Sequence, residues 1–191
     1  MAQPSRRVVF MLVFVAAAAV LGWTYYQSLV PAIHPDHDHG LENIAGGGFL
    51  RVDRVEGGRR NLVGKPKGVL ILHWFDLKSP TTASELPLLV EYAESVKNDP
   101  GIEILLIATG ATREELGAWA RGHGVPTRNL HADPEGKTTS LIGVRRLPDT
   151  LIYGPDGSLA QQTRGPVNWA DPRLRAAVDQ IRHGAGGDHQ H

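Results

Sequence analysis

Histidines and aspartates crowd two short tracts of the sequence, and both side chains are common metal ligands. The first tract, residues 34–39, reads HPDHDH, and the second, residues 188–191, reads DHQH. Imidazole together with carboxylate suits zinc, copper or nickel. Neither tract has fixed helical spacing, so two interpretations stay open: a weak copper or zinc site, or a solvated linker and tail. The histidines that such a metal site would use are His34, His37, His39, His189 and His191.

Ser79 is the second candidate for chemistry, because a serine hydroxyl becomes a nucleophile when a base lies within hydrogen-bond reach. His73 lies six residues upstream. The competing interpretation is structural. Ser79 followed by Pro80 is typical of a helix start, with serine at the cap and proline in the first helical position. A single histidine such as His73 is also commonly a core residue with its hydrogen bonds satisfied.

The sequence contains no cysteine, and this excludes several kinds of chemistry for the chain at once. Disulfides, thiolate metal sites and cysteine nucleophiles all need that residue. Lysine plus arginine equals aspartate plus glutamate at 20 each, so no field of one sign indicates a nucleic-acid partner. The 191 residues, 41% of them hydrophobic, are enough for one ordinary core and an appendage.

The first thirty residues predict a transmembrane signal anchor. Arg6 and Arg7 precede an uncharged run from Val8 to Val30, long enough to cross about 30 Å of hydrocarbon as a helix. The two arginines predict a cytoplasmic N-terminus, which puts the rest of the chain outside the cytoplasm. A cleaved signal peptide is the alternative, because residues 16–19 are small. A polar, glycine-rich stalk over residues 31–48 is expected to follow.

Behind the stalk, strand and helix patterns alternate, which predicts an α/β domain with a mixed sheet. Strands are expected at residues 49–63 (one strand or a hairpin, broken at Gly57-Gly58), 69–75, 102–108, 129–131, 149–153 and 158–163. Helices are expected from Ser79-Pro80 up to Asp99-Pro100-Gly101, from Thr112 to a stop at Gly122 and Gly124, over 137–142, and from Asp171-Pro172 onward. Thr112 and Glu115 are expected to form a capping box at the start of the second of these helices. The last residues, 183–191, are expected to form a histidine-rich tail.

Three short motifs occur in order within this pattern. Residues 73–87 read HWFDLKSPTTASELP, residues 143–148 read GVRRLP before a Pro-Asp-Gly turn, and residues 165–169 read GPVNW. The chain resembles, over residues 48–182, the membrane-anchored periplasmic thioredoxin-like proteins of the TlpA and cytochrome-maturation type. In that family a buried strand runs into Trp-Cys-x-x-Cys at the start of a helix. Here Ser79 and Thr82 occupy the two cysteine positions.

The resemblance implies a thioredoxin-like mixed sheet flanked by helices in residues 49–182, joined to one N-terminal transmembrane helix in residues 1–30. It implies a single-pass protein of the bacterial inner membrane with its C-terminal domain in the periplasm. It also implies that Leu147-Pro148 is a cis peptide bond beside the helix start. In the family, the residue before this proline offers backbone groups to an extended substrate. His73 resembles the family's buried acid, so we expect it beneath the helix.

Serine and threonine cannot carry thiol-disulfide exchange, so the family's usual chemistry is not expected. The expected function is redox-inactive binding of a membrane or periplasmic protein partner, in support of envelope or respiratory complex assembly. The surface expected to bind it consists of Ser79, Pro80, Leu147 and Pro148. The alternatives are copper or zinc binding through the histidine tracts and, third, an enzyme that uses a hydroxyl. Three cations, Lys78, Arg145 and Arg146, are expected nearby, either steering an acidic partner or forming a solvated rim.

Overall fold

The structure, a computed structural model, describes residues 50–62 and 66–184, which belong to one compact unit. The strands are β1 Arg51–Arg54, β2 Arg59–Asn61, β3 Val69–Phe75, β4 Ile102–Thr109, β5 Leu130–Asp133, β6 Asp149–Tyr153 and β7 Leu159–Arg164. The helices are α1 Pro80–Ser95, α2 Arg113–His123, α3 Lys137–Leu141 and α4 Pro172–Gly184. The predicted order of elements is confirmed, including the late hairpin β6–β7. Of the two forms expected for residues 49–63, the structure has the hairpin, β1–β2.

The strands form one sheet in the order β2-β1-β5-β4-β3-β6-β7. Its central pairs, β3 with β4 and β4 with β5, are parallel, and the remaining pairs are antiparallel. Every residue of β3 is buried. A strand covered on both faces favours apolar side chains, which explains why every residue of β3 except His73 is apolar. The predicted mixed sheet is therefore confirmed.

Two hydrophobic cores lie on opposite faces of this sheet, because successive side chains of a strand point to opposite sides. Ile71 and Phe75 of β3 belong to the first core, which also receives apolar residues of α1, α2 and α4. Leu72 and Trp74 belong to the second core, with Leu151 of β6. Strand β3 is therefore packed on both faces, and this fixes the position of the turn that follows it.

Helix boundaries show where local sequence signals succeed and where they do not. The capping box at the start of α2 is confirmed: Glu115 N donates to Thr112 Oγ1 at 3.2 Å, and Thr112 N donates to Glu115 Oε2 at 2.8 Å. The predicted end of α1 near residue 99 is wrong, because the helix stops at Ser95 and Val96 leaves helical geometry. The Asp99-Pro100-Gly101 signal belongs to the turn before β4.

No helix within residues 50–62 and 66–184 is long and apolar enough to cross a membrane. The expected anchor, the stalk and the tail beyond Gly184 lie outside the described residues. Their predicted boundaries stay predictions.

Candidate functional site

Strand register brings the loop before β6 next to the turn from β3 into α1. The two strands are antiparallel neighbours with Trp74 opposite Asp149. The next residues, Phe75 and Pro148, therefore lie at the same end of the strand pair. The Leu147-Pro148 peptide bond is cis, as the resemblance implies. The sequence thus predicts correctly which two loops meet at this end of the sheet.

Ser79 is the N-terminal cap of α1 by position, but its side chain does not cap the helix. Its backbone is extended, with φ −75° and ψ 129°, and Pro80 follows in the first turn. The Ser79 hydroxyl pairs with Thr81 Oγ1 at 2.7 Å and makes no side-chain cap bond. The predicted side-chain cap is therefore wrong. The Ser79 hydroxyl pairs with the neighbouring Thr81 hydroxyl instead of accepting a hydrogen bond from a backbone N–H of the first helical turn.

Thr82, at the second cysteine position of the resemblance, is buried and bonded to the preceding turn. Its hydroxyl donates to the backbone oxygen of Asp76 at 2.6 Å, and its backbone N–H donates to the oxygen of Ser79 at 3.1 Å. Asp76 Oδ1 in turn accepts from the backbone N–H of Lys78 at 2.8 Å. The turn is held by these local hydrogen bonds.

His73 is a core histidine rather than a base aimed at Ser79. It is 1% exposed, and its Nδ1 bonds Thr150 Oγ1 on the neighbouring strand at 2.9 Å. The ring lies edge-on to Trp169, with 6.3 Å between centroids. Burial lowers the pKa of His73 to about 3, so the ring is neutral at physiological pH. The structure therefore gives no support to a Ser79–His73 hydrolytic pair.

Glu85 is a residue of the site whose contacts sequence reasoning missed. It lies on α1 with only 5% of its surface exposed, and its Oε1 accepts from the backbone N–H of Val167 at 2.8 Å. Burial raises the pKa of Glu85, partly offset by the Val167 amide and the Trp169 indole. The glutamate thereby fixes the GPVNW segment against α1. The available signal was that both residues fall within the quoted motifs.

Asp149 is a second buried carboxylate that sequence reasoning missed, directly after the cis proline. Its Oδ2 accepts from Gln162 Nε2 at 2.9 Å, whereas its Oδ1 is buried without a partner. The indole nitrogen of Trp74, its cross-strand neighbour, is also buried without an acceptor. Burial raises the pKa of Asp149. Two buried polar atoms at the start of β6, Asp149 Oδ1 and Trp74 Nε1, therefore have no hydrogen-bond partner within the described residues.

The loop over residues 145–147 leaves its backbone without hydrogen bonds to other backbone groups of the described chain. Leu147 is half-buried, and Arg145 and Arg146 are exposed. The next residue is fixed, because Gly165 N donates to the oxygen of Pro148 at 2.8 Å. Free N–H and C=O groups beside a fixed proline are what an added extended strand would pair with.

The five histidines of the predicted metal site lie outside the described residues, so copper or zinc binding stays a prediction. Among the residues that are described, no group of three or more histidine, aspartate or glutamate side chains is placed to hold a metal ion.

Solved structures similar to this chain share its architecture. DsbF of Mycobacterium tuberculosis, seen in mixed oxidized and reduced forms, is 18% identical with a TM-score of 0.59, over 69% of this chain and 93% of its own. A secreted Mycobacterium tuberculosis disulfide oxidoreductase homologous to E. coli DsbE is 17% identical with a TM-score of 0.56, over 68% and 93%. A thiol:disulfide interchange protein of the thioredoxin family from Chlorobium tepidum is 18% identical with a TM-score of 0.55, over 72% and 92%.

The chain has the thioredoxin fold. No family model matches the sequence, and no curated protein is significantly similar to it. At identities below 20% the likeness shows the fold alone. This thioredoxin-fold chain contains no cysteine, so its own side chains cannot carry out thiol–disulfide exchange.

Proposed function

We propose that this chain is a redox-inactive, membrane-tethered thioredoxin-fold protein that binds an extended segment of a partner protein in the periplasm. The site of binding is the docking surface, which we define as Ser79, Pro80, Leu147 and Pro148. The partner is a periplasmic or membrane protein, and the binding assists assembly of an envelope or respiratory complex.

The observation that supports this proposal is that the backbone of residues 145–147, in the loop before β6, makes no hydrogen bond to another backbone group within residues 50–62 and 66–184. A segment added to this loop gains main-chain hydrogen bonds without displacing any backbone bond of the described chain. Leu147 is half-buried and Ser79 is half-buried, so both sit at the surface where a partner would contact them. The docking surface needs no thiol for this kind of binding.

The tether and the location rest on the sequence. The uncharged run from Val8 to Val30 has the length of a membrane-spanning helix, and the arginines before it favour an orientation that exports the domain. The similar disulfide oxidoreductase from Mycobacterium tuberculosis is a secreted protein, which agrees with a domain outside the cytoplasm. The alternative function, copper or zinc capture by the histidine tracts, stays a prediction.

Site-specific photocrosslinking in intact membranes tests the proposal. A photoreactive amino acid replaces Ser79 in one variant and Arg173, an exposed residue at the start of α4, in a matched control. We expect a discrete crosslinked partner at position 79 and none at position 173. In a second step, Leu147→Pro removes the N–H of residue 147, and we expect the adduct at position 79 to fall at least fivefold.

The midpoint temperature of thermal unfolding of each variant must stay close to that of the parent chain. This control separates a loss of binding from a loss of folding. The same adducts at both probe positions, or an unchanged adduct in a folded Leu147→Pro variant, would contradict the proposed surface.

A further inference from the structure

A pocket of about 340 Å³ opens at the end of the sheet opposite to the docking surface. The docking surface lies where β3 ends at Phe75. The pocket lies where β4, the parallel neighbour of β3, begins at Ile102. The end of β1, the strand β2 and the segment leading into β5 complete its wall. The pocket is therefore separate from the proposed partner site.

Cationic side chains outnumber carboxylates in the lining of this pocket. The charged residues that line it are Arg54, Arg60, Lys97 and Arg128, with Glu56 and Glu103. A concave site lined by charges of one sign attracts ligands of the opposite sign. The excess is positive, so the pocket favours an anion.

Both carboxylates of the lining already have partners. Glu103 binds Arg60, whose Nη2 lies 2.8 Å from each of the two carboxylate oxygens. Glu56 accepts a hydrogen bond from Thr127 Oγ1 at 3.0 Å. Both carboxylates of the lining are therefore already engaged in hydrogen bonds.

Two of the remaining cations are also paired. Lys97 and Arg128 both bind Glu94, at 3.2 Å and 3.3 Å. These two side chains therefore contribute to the positive field of the pocket but have part of their charge balanced.

Arginine donors remain unused. Within residues 50–62 and 66–184, the side chain of Arg54 makes no hydrogen bond or ion pair. The Nε–H of Arg60 is buried and has no acceptor in the same part of the chain. Guanidinium donors of this kind bind carboxylate and phosphate oxygens with directional, charge-assisted hydrogen bonds.

His131 is a buried residue of the pocket lining, and its pKa is affected by the positive charges around it. The ring donates from Nδ1 to the backbone oxygen of Asn129 at 2.9 Å. Its pKa is lowered to about 4, chiefly by burial and also by the charges of Arg54 and Arg60. The ring is neutral at physiological pH, so the positive field there comes from the arginines.

We infer that this pocket is a binding site for a small oxyanion, a phosphate or carboxylate group held by the guanidinium groups of Arg54 and of Arg60, whose side chain is 37% exposed. One oxygen of the anion accepts from the Arg54 guanidinium and another from Arg60. The pocket volume admits a single small molecule of this kind. This inference is independent of the docking surface and of the partner that it binds.

Equilibrium dialysis of the full chain in a non-ionic detergent tests the inference, with radiolabelled inorganic phosphate in one arm and radiolabelled succinate in the other. Ionic strength is held constant with sodium chloride, since screening weakens every charge interaction. We expect saturable binding of at least one of the two anions at one site per chain, and the arm that saturates identifies the oxyanion class.

Matched variants assign the binding to the pocket. Arg54→Ala is expected to weaken the affinity at least tenfold, and Arg54→Lys, which keeps the charge but loses the fork, by a smaller factor. Arg173→Ala removes an exposed arginine outside the pocket and is expected to change the affinity less than twofold. Arg54 is exposed, so its replacement is not expected to unfold the chain. Binding of neither anion, or equal affinities in Arg54→Ala and Arg173→Ala, overturns the inference.

Discussion

Replacing His73 tests whether a buried neutral histidine limits the stability of this fold in acid. Its ring is 1% exposed, and burial lowers its pKa from 6.5 to about 3. The folded state therefore binds fewer protons than the unfolded chain throughout the interval between pH 6.5 and pH 3. The free energy of unfolding must fall as the pH falls through that interval.

The magnitude follows from the two pKa values. At pH 5.0 the unfolded chain has gained its proton and the folded ring has not, which costs about 2 kcal/mol relative to pH 7.5. His131, whose pKa is lowered to about 4, adds a similar loss in the same direction. The two losses together are a large fraction of the roughly 5–15 kcal/mol that stabilises an ordinary domain. Glu85 and Asp149 have raised pKa values and act in the opposite direction. Their effect cancels when a variant is compared with the parent chain.

The variant His73→Leu removes the titrating group and keeps a side chain of similar size. It loses the hydrogen bond to Thr150, which costs about 1 kcal/mol at any pH. We expect the drop in stability between pH 7.5 and pH 5.0, measured by urea unfolding, to be smaller by about 2 kcal/mol than in the parent chain. Ile71→Val, a buried change on the same strand, is the control and should lower stability equally at both pH values. An unchanged drop in His73→Leu would refute the assignment of a neutral core histidine.

Two further predictions concern the start of α1. The double variant Ser79→Cys/Thr82→Cys should form an intramolecular disulfide under mild oxidation, because residues three apart at a helix start have about the Cα separation that a disulfide needs; thiol titration checks this, and two thiols that stay free would contradict the alignment of these positions with the redox pair. Glu85→Ala should lower the free energy of unfolding by about 2 kcal/mol, since it removes a buried side chain and leaves the N–H of the half-buried Val167 without its acceptor. Glu91→Ala, an exposed change on the same helix, should stay within about 0.5 kcal/mol in the same urea titration.

Much of the fold could be predicted because its signals are local. The six apolar residues among the seven of β3 mark a strand covered on both faces, and the Thr112–Glu115 pair marks the start of α2 within four residues of sequence. The cis bond at Leu147-Pro148 was implied by a motif rather than by physics, and the structure has it. Where a short stretch of sequence determines the outcome, the prediction holds.

Features that depend on distant residues could not be predicted in the same way. Glu85 meets Val167 across 82 positions of sequence, and no local pattern indicates that contact. The pocket at the start of β4 joins Arg54 and Arg60 of the first hairpin to a helix end and two strands far along the chain. Even at short range, two neighbouring hydroxyls competed, so that Ser79 bonds Thr81 instead of capping the helix. Prediction from local sequence therefore fails where side chains compete for one hydrogen bond and where residues far apart in sequence pack together.

The turn between β3 and α1 is held without cysteine. The hydroxyl of Thr82 donates to the oxygen of Asp76 at 2.6 Å, and the Asp76 side chain accepts from the backbone of Lys78 at 2.8 Å. These bonds hold the start of α1 at the end of β3 without any sulfur. The strand pair β3–β6 independently sets the loop before Asp149 beside that turn. Both constraints leave the Leu147-Pro148 loop at the end of β3, while the chain, which has no cysteine, has no thiol for redox exchange.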